Sequence, residues 1–162
     1  MRLASLMVLA ANAFSLIGFY PPALAGPLPK HGLVDYQLGG GYPPSANVTI
    51  VVRDSTDKPV HGLFNICYVN GFQTQPGAAW PKELLVPGPD GKPLVDAGWP
   101  DEFLLDISTE TKRQRNLNLL ESYINVCGEK GFDAIEFDNL DSYTRSHGQI
   151  DQADALSFAK LL

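Results

Sequence analysis

Asn47-Val48-Thr49-Ile50-Val51-Val52 is the stretch that most restricts what this chain can fold into. It is β-branched and almost continuously apolar. A strand of that kind needs cover on both faces, which a parallel α/β sheet supplies. Other short apolar runs follow the same habit: Leu33–Leu38, Leu63–Val69, Phe103–Ile107 and Asp133–Phe137. Turn residues separate the first of them, namely Gly39-Gly40-Gly41, residues 53–59 and Asn70-Gly71. Between the fourth and fifth runs, Leu117, Leu120, Ile124 and Cys127 recur at helical spacing. The spacing predicts a helix over about 110–129, capped by Ser108 or Thr109 and ended near Gly128 and Gly131. A second helix is expected in residues 151–162. Residues 72–100 hold Pro76, Pro81, Pro87, Pro89, Pro93 and Pro100, with Trp80 and Trp99. A loop this long without regular structure is unusual unless it has a function. Five strands alternating in part with helices give the expected class, α/β.

The chain carries 12 Lys+Arg against 18 Asp+Glu, a formal charge of −6. That balance argues against nucleic-acid binding, which needs clustered cations. Met1-Arg2, an uncharged apolar stretch to Tyr20, Pro21-Pro22 and Ala23-Leu24-Ala25 have the layout of a secretory signal peptide over residues 1–25. Cleavage there would leave residues 26–162, 137 of the 162, and remove Arg2, taking the formal charge to −7. No later stretch is long and apolar enough to span a bilayer. The expectation is a secreted, unanchored monomer. In an oxidising compartment Cys67 and Cys127 can pair, or they can remain two buried thiols. Asn47-Val48-Thr49 is a glycosylation sequon. The chain has no GxGxxG, GxxxxGK[ST], HExxH or CxxC.

Polar residues gather where the expected strands end: Asp35, Tyr36 and Gln37; Tyr68 and Asn70; Asp106 and Ser108; Glu136, Asp138, Asn139 and Asp141. In parallel α/β folds ligands bind at that end of the sheet. Glu136 and Asp138 are two apart, so they share a strand face. A carboxylate pair in one cleft is what glycoside hydrolysis uses. The same pair could equally face solvent, and Asp138-Asn139 could cap a helix. Tyr42, Phe72, Trp80, Trp99 and Tyr143 lie near these ends, where rings could stack on sugars or pack the core.

At these residues the chain resembles a known family. The segments 34–44 (VDYQLGGGYPP), 48–54 (VTIVVRD), 62–76 (GLFNICYVNGFQTQP), 98–109 (GWPDEFLLDIST) and 131–148 (GFDAIEFDNLDSYTRSHG) are similar to glycoside hydrolase family 114, the endo-α-1,4-polygalactosaminidase or α-galactosidase-like enzymes. The resemblance implies a TIM (β/α)8 barrel of which about the first five strands are present. It implies hydrolysis of α-1,4-linked galactosamine- or galactose-containing polysaccharide, without metal or organic cofactor. It places the nucleophile at Asp138, with Glu136 as a weaker catalytic candidate. It assigns substrate binding to Asp35, Tyr36, Gln37, Tyr68, Asn70, Asp106, Asn139 and Asp141. The family's acid/base Glu belongs to a later strand, absent from this chain. A complete barrel takes roughly 250 residues, so a truncated catalytic domain is expected. The competing readings are a carbohydrate-binding remnant without turnover, and a secreted interaction protein whose acids are only a solvated face.

Overall fold

The computed structural model describes residues 27–162; the expected signal peptide lies outside them. Four strands, β1 (Leu33–Gln37), β2 (Val48–Asp54), β3 (Phe64–Asn70) and β4 (Ala134–Asp138), form one parallel sheet in the order β1-β2-β3-β4. Two helices follow the expected positions. Helix α1 (Glu110–Lys130) starts at Thr109, whose side chain accepts a hydrogen bond from the Lys112 N–H, and ends at Gly131 with φ 84°. Helix α2 (Gln152–Ala159) starts with a capping box between Asp151 and Asp154.

The sequence-expected fourth strand is corrected by the structure. Residues 103–107 are extended but do not join the parallel sheet. Phe103, Leu104 and Leu105 make single antiparallel bridges with Val95, Gln73 and Leu85. The long loop therefore has its own backbone partners, with Val86 N–H donating to Leu104 and Leu104 N–H donating to Leu94. The segment's apolar character goes into the core instead: Leu104, Leu105 and Ile107 are completely buried. With residues 103–107 engaged there, β3 pairs directly with the expected fifth strand, now β4.

The register sets two faces. Tyr36 aligns with Val52 and Ile66; Tyr68 aligns with Glu136, and Asn70 with Asp138. Even-numbered residues thus share one face, and odd-numbered residues the other. The odd face of β3 and β4 meets α1. Cys67, Val69, Leu120 and Cys127 are buried in one core with Phe72 and Phe158, whose rings meet edge to face at 5.3 Å. Cys67 and Cys127 are bridged, with Cα atoms 5.9 Å apart.

Among the described residues no helix covers the odd face of β1 and β2, because neither connection contains one. Arg53 holds the loops there. Its guanidinium donates to the carbonyls of Lys58 and Tyr42 and to Gln37 Oε1. Gly41 lets the loop approach, since a Cβ at that position would come within 2.8 Å of the guanidinium carbon.

The sheet curls. The Tyr36 hydroxyl on β1 donates to Glu136 on β4 at 2.6 Å, across two intervening strands. A flat sheet would set those strands about 14 Å apart. Such curvature is that of a barrel wall. Among the described residues β1 and β4 each keep one unpaired edge, and no helix is long and apolar enough to cross a membrane.

Two outcomes follow from this architecture. The bridge closes a loop with a sequence separation of 60, for which chain entropy gives about 4 kcal/mol. Replacing Cys67 and Cys127 by alanine together should lower the urea midpoint accordingly; an unchanged midpoint would show that the bridge adds nothing. The hydrogen bond to Glu136, with some burial, pushes the Tyr36 hydroxyl up to about 12. The raised group contributes stability that is complete below the ordinary tyrosine value near 10 and lost between about 10 and 12. The urea midpoint should fall across that window, and Tyr36→Phe should flatten part of the fall.

Candidate active site

The even face carries its polar groups toward the C-terminal ends of the strands, where β3 contributes Tyr68 and Asn70 and β4 contributes Glu136 and Asp138. The Asp138 carboxylate is exposed and held by two donors. Its Oδ2 accepts from the Tyr68 hydroxyl at 2.7 Å, and its Oδ1 from the Asn139 N–H at 2.7 Å. Burial, with the hydrogen bond to Asp138 second, pushes the Tyr68 hydroxyl far up, so it remains a donor at any ordinary pH. A carboxylate fixed by donors at both oxygens and still open to solvent suits nucleophilic attack or stabilisation of a developing cation.

Asn139 follows in the left-handed region, at φ 65°. That backbone is uncommon outside glycine, though asparagine tolerates it better than most residues. A ring of side chains holds it there. Asn139 Nδ2 donates to Asn70 Oδ1 at 2.9 Å, and Asn70 Nδ2 donates to Glu102 Oε2 at 2.6 Å. Gln73 Nε2 donates to the same Glu102 oxygen at 2.8 Å. Arg145 closes the ring, donating to Gln73 Oε1 at 2.9 Å and Asn139 Oδ1 at 3.1 Å. Asn70 and Gln73 are fully buried, and Glu102 nearly so. Burial raises the Glu102 carboxyl, and the two amide hydrogen bonds oppose that shift only in part. Arg145 is itself anchored as an ion pair, its Nε 2.6 Å from buried Asp96 and its Nη1 3.0 Å from Asp141.

Asp138, Asn139, Tyr68 and Glu102 line a cleft of about 450 Å3, with Trp99 and Asp101 among its other walls. Trp99 is mostly exposed. Glu136, paired in register with Tyr68, sits one layer deeper than Asp138 and is bound by Tyr36.

The structure divides the sequence-expected site residues. Tyr68, Asn70, Asp138 and Asn139 come together, with Tyr36 and Glu136 beneath them. Asp35 and Gln37 do not join them. They lie on the odd face, where Asp35 accepts from Gln37 and from the Tyr42 hydroxyl. Asp106 is also elsewhere. Its carboxylate binds Ser108 and pairs with Lys112 at 2.5 Å, tying down the start of α1. Asp141 reaches the site only through Arg145. Sequence reasoning passed over Glu102, Gln73 and Arg145. Glu102 stands within the segment 98–109, and nothing local distinguishes a buried acid from an exposed one. Among the described residues no group of three or more His, Cys, Asp or Glu converges as a metal centre would.

The model of the glycoside-hydrolase family GH114 matches residues 22–162. No curated protein matches the chain. Among solved structures, Ega3 of Aspergillus fumigatus in complex with galactosamine superposes with a TM-score of 0.62 at 21% identity, over 86% of this chain and 55% of that one. The glycoside hydrolase domain of PelA from Pseudomonas aeruginosa gives 0.51 at 19% identity, over 79% and 53%; a variant of that domain gives the same values. The chain therefore spans about half the length of the solved relatives it matches. These likenesses carry the fold, four parallel strands of a TIM-type barrel, and the family match over most of the chain carries the kinship: this protein belongs to glycoside hydrolase family 114.

Proposed function

We propose that this chain is the part of a secreted glycosidase that carries the nucleophile, and that the enzyme acts on α-1,4-linked galactosamine-containing polysaccharide. The observation that supports this most directly is the Asp138 carboxylate, open to the cleft and oriented by Tyr68 and Asn139. In this reading Asp138 attacks the anomeric carbon and the bond to the leaving oxygen breaks, giving a glycosyl-enzyme. A proton must reach the leaving oxygen, and water must then cleave the intermediate. The acid/base for both steps is the Glu that the family resemblance assigns to a later strand. Turnover is accordingly proposed for a barrel that includes that strand. Two further observations favour the reading. The disulfide suits an oxidising, secretory destination. Among the described residues Asp54, Asp101, Glu102 and Asp138 line the cleft without any Lys or Arg, which suits an ammonium sugar.

The second reading is carbohydrate binding without turnover. The chain's span of 55% of the Ega3 structure favours it for this chain taken alone. Incubation with de-N-acetylated α-1,4-polygalactosamine separates the two: released oligomers support catalysis, and binding without release supports the second.

Asp138→Asn in a form containing the complete barrel should lower turnover by about 1,000-fold or more while leaving the circular dichroism spectrum unchanged, as removal of a nucleophile does. Activity within a few-fold of the native enzyme would remove Asp138 from that role. Salt supplies an independent measurement. Raising it from 0.1 to 1 M shortens the screening length from about 10 to about 3 Å. Apparent affinity for the de-N-acetylated polymer should fall markedly, and that for the neutral acetylated polymer little. Equal falls would show that the acids do not select the sugar.

A further inference from the structure

Asn47-Val48-Thr49 is the one N-x-[ST] sequence in the 162 residues, and no part of the cleft uses it. The structure sets it on an exposed turn. The Val48 N–H donates to the Ser45 carbonyl at 3.0 Å. That bond closes a tight turn with Asn47 at its third position, directly before β2 begins at Val48. Alternation then sorts the side chains: Val48 and Ile50 are buried, whereas Asn47 and Thr49 are exposed. The amides of Asn65, Asn70, Asn116 and Asn139 donate within the fold, whereas the exposed Asn47 amide donates to no other residue among those described. The turn lies at the end of the sheet opposite the cleft. Val48 pairs with Leu33, the first residue of β1, while Asp54, the last residue of β2, lines the cleft. Extended chain from Asn47 to Asp54 spans about 23 Å. The bridge between Cys67 and Cys127 suits the oxidising compartment in which N-glycans are added.

We propose that Asn47 is an N-glycan attachment site, modified as the chain enters a secretory pathway and lying clear of the cleft. The donor is an oligosaccharide linked to a polyprenyl diphosphate. The Asn47 Nδ2 bonds to the anomeric carbon of the first sugar and gives up one proton. The bond from that carbon to the diphosphate oxygen breaks, and the diphosphate leaves with the electron pair. The inference rests on the secretion part of the proposed function and is independent of which sugar the cleft takes.

The test is expression of the full chain in a yeast, beside Asn47→Gln, Thr49→Val and Thr49→Ser. A Cβ at Gly32 would collide with the Thr49 Oγ1, so the shape at position 49 matters. Valine keeps that shape and loses the hydroxyl the motif requires; serine keeps the hydroxyl. A second set replaces residues 1–25 by the host's own secretion leader, which assures entry into the pathway. On a denaturing gel the native chain and Thr49→Ser should run slower than Asn47→Gln and Thr49→Val by the mass of one glycan. Peptide-N-glycosidase should erase the difference and leave aspartate in place of Asn47, read by mass spectrometry. The urea midpoint of the glycosylated chain should be no lower than after glycan removal, as an exposed turn requires. A chain led into the pathway by the host leader and bearing no glycan overturns the site and leaves the secretion reading standing. A glycan added only with the host leader supports the site and overturns residues 1–25 as a secretory leader. A midpoint lowered by the glycan overturns its placement on an open turn.

Discussion

The parallel registry between β3 and β4 is the constraint on which the rest of this molecule depends. Tyr68 lies opposite Glu136 and Asn70 opposite Asp138. Because side chains alternate, a slip of β4 by one residue would turn Asp138 toward α1, and a slip of β3 would turn Cys67 and Val69 toward the cleft. Burial opposes that slip. Cys67 and Val69 are fully enclosed with Leu120, Cys127 and Phe158. The disulfide to Cys127 adds a covalent statement of which face is inside. The chemistry of one face is therefore secured by the packing of the other.

On that frame, the site is rigid for reasons that are mainly polar. Asn139 occupies the left-handed backbone region, which asparagine tolerates better than most residues, and the closed ring through Asn70, Glu102, Gln73 and Arg145 holds it there. Each member uses groups that would be costly to bury alone: two amides, a carboxyl and a guanidinium. Removing one leaves the others unsatisfied, so the ring behaves as a unit. Its consequence for Asp138 is direct, because the Asn139 N–H is one of the two donors that orient the carboxylate. The long proline-rich loop is part of this arrangement. It supplies Gln73 and Asp96 and leads into Glu102, and its antiparallel bridges with residues 103–105 keep them in place.

The other half of the sheet is supported differently. Barrel units ordinarily lay a helix over each strand pair, but β1 and β2 are covered by loops gathered around Arg53. Asp35 and Gln37 lie on that loop-covered face, where Tyr42 and Arg53 engage them. The loops left without helices open a hollow beside the cleft, with Tyr123 as its far wall.

The sequence by itself determined the class, most of the elements and the family. Continuous β-branched runs require cover on both faces, caps and glycines mark the ends of α1, and the motif around Asp138 stands in consecutive residues. Local rules of this kind act over a few positions and survive without tertiary context. What they could not decide is which extended segment joins the sheet. Phe103–Ile107 has strand composition, but Gln73, Leu85 and Val95 take its backbone bonds, and that competition is settled between residues far apart in the chain. The same holds for the site. Asp138 was legible from its motif and its position at a strand end, whereas Glu102, Gln73 and Arg145 were not, because burial and hydrogen bonding depend on what surrounds a side chain. Asp35 and Asp106 carry the same carboxylate as Asp138, and only the alternation of the strands and the path of the loop turn one into the cleft and the other two away from it.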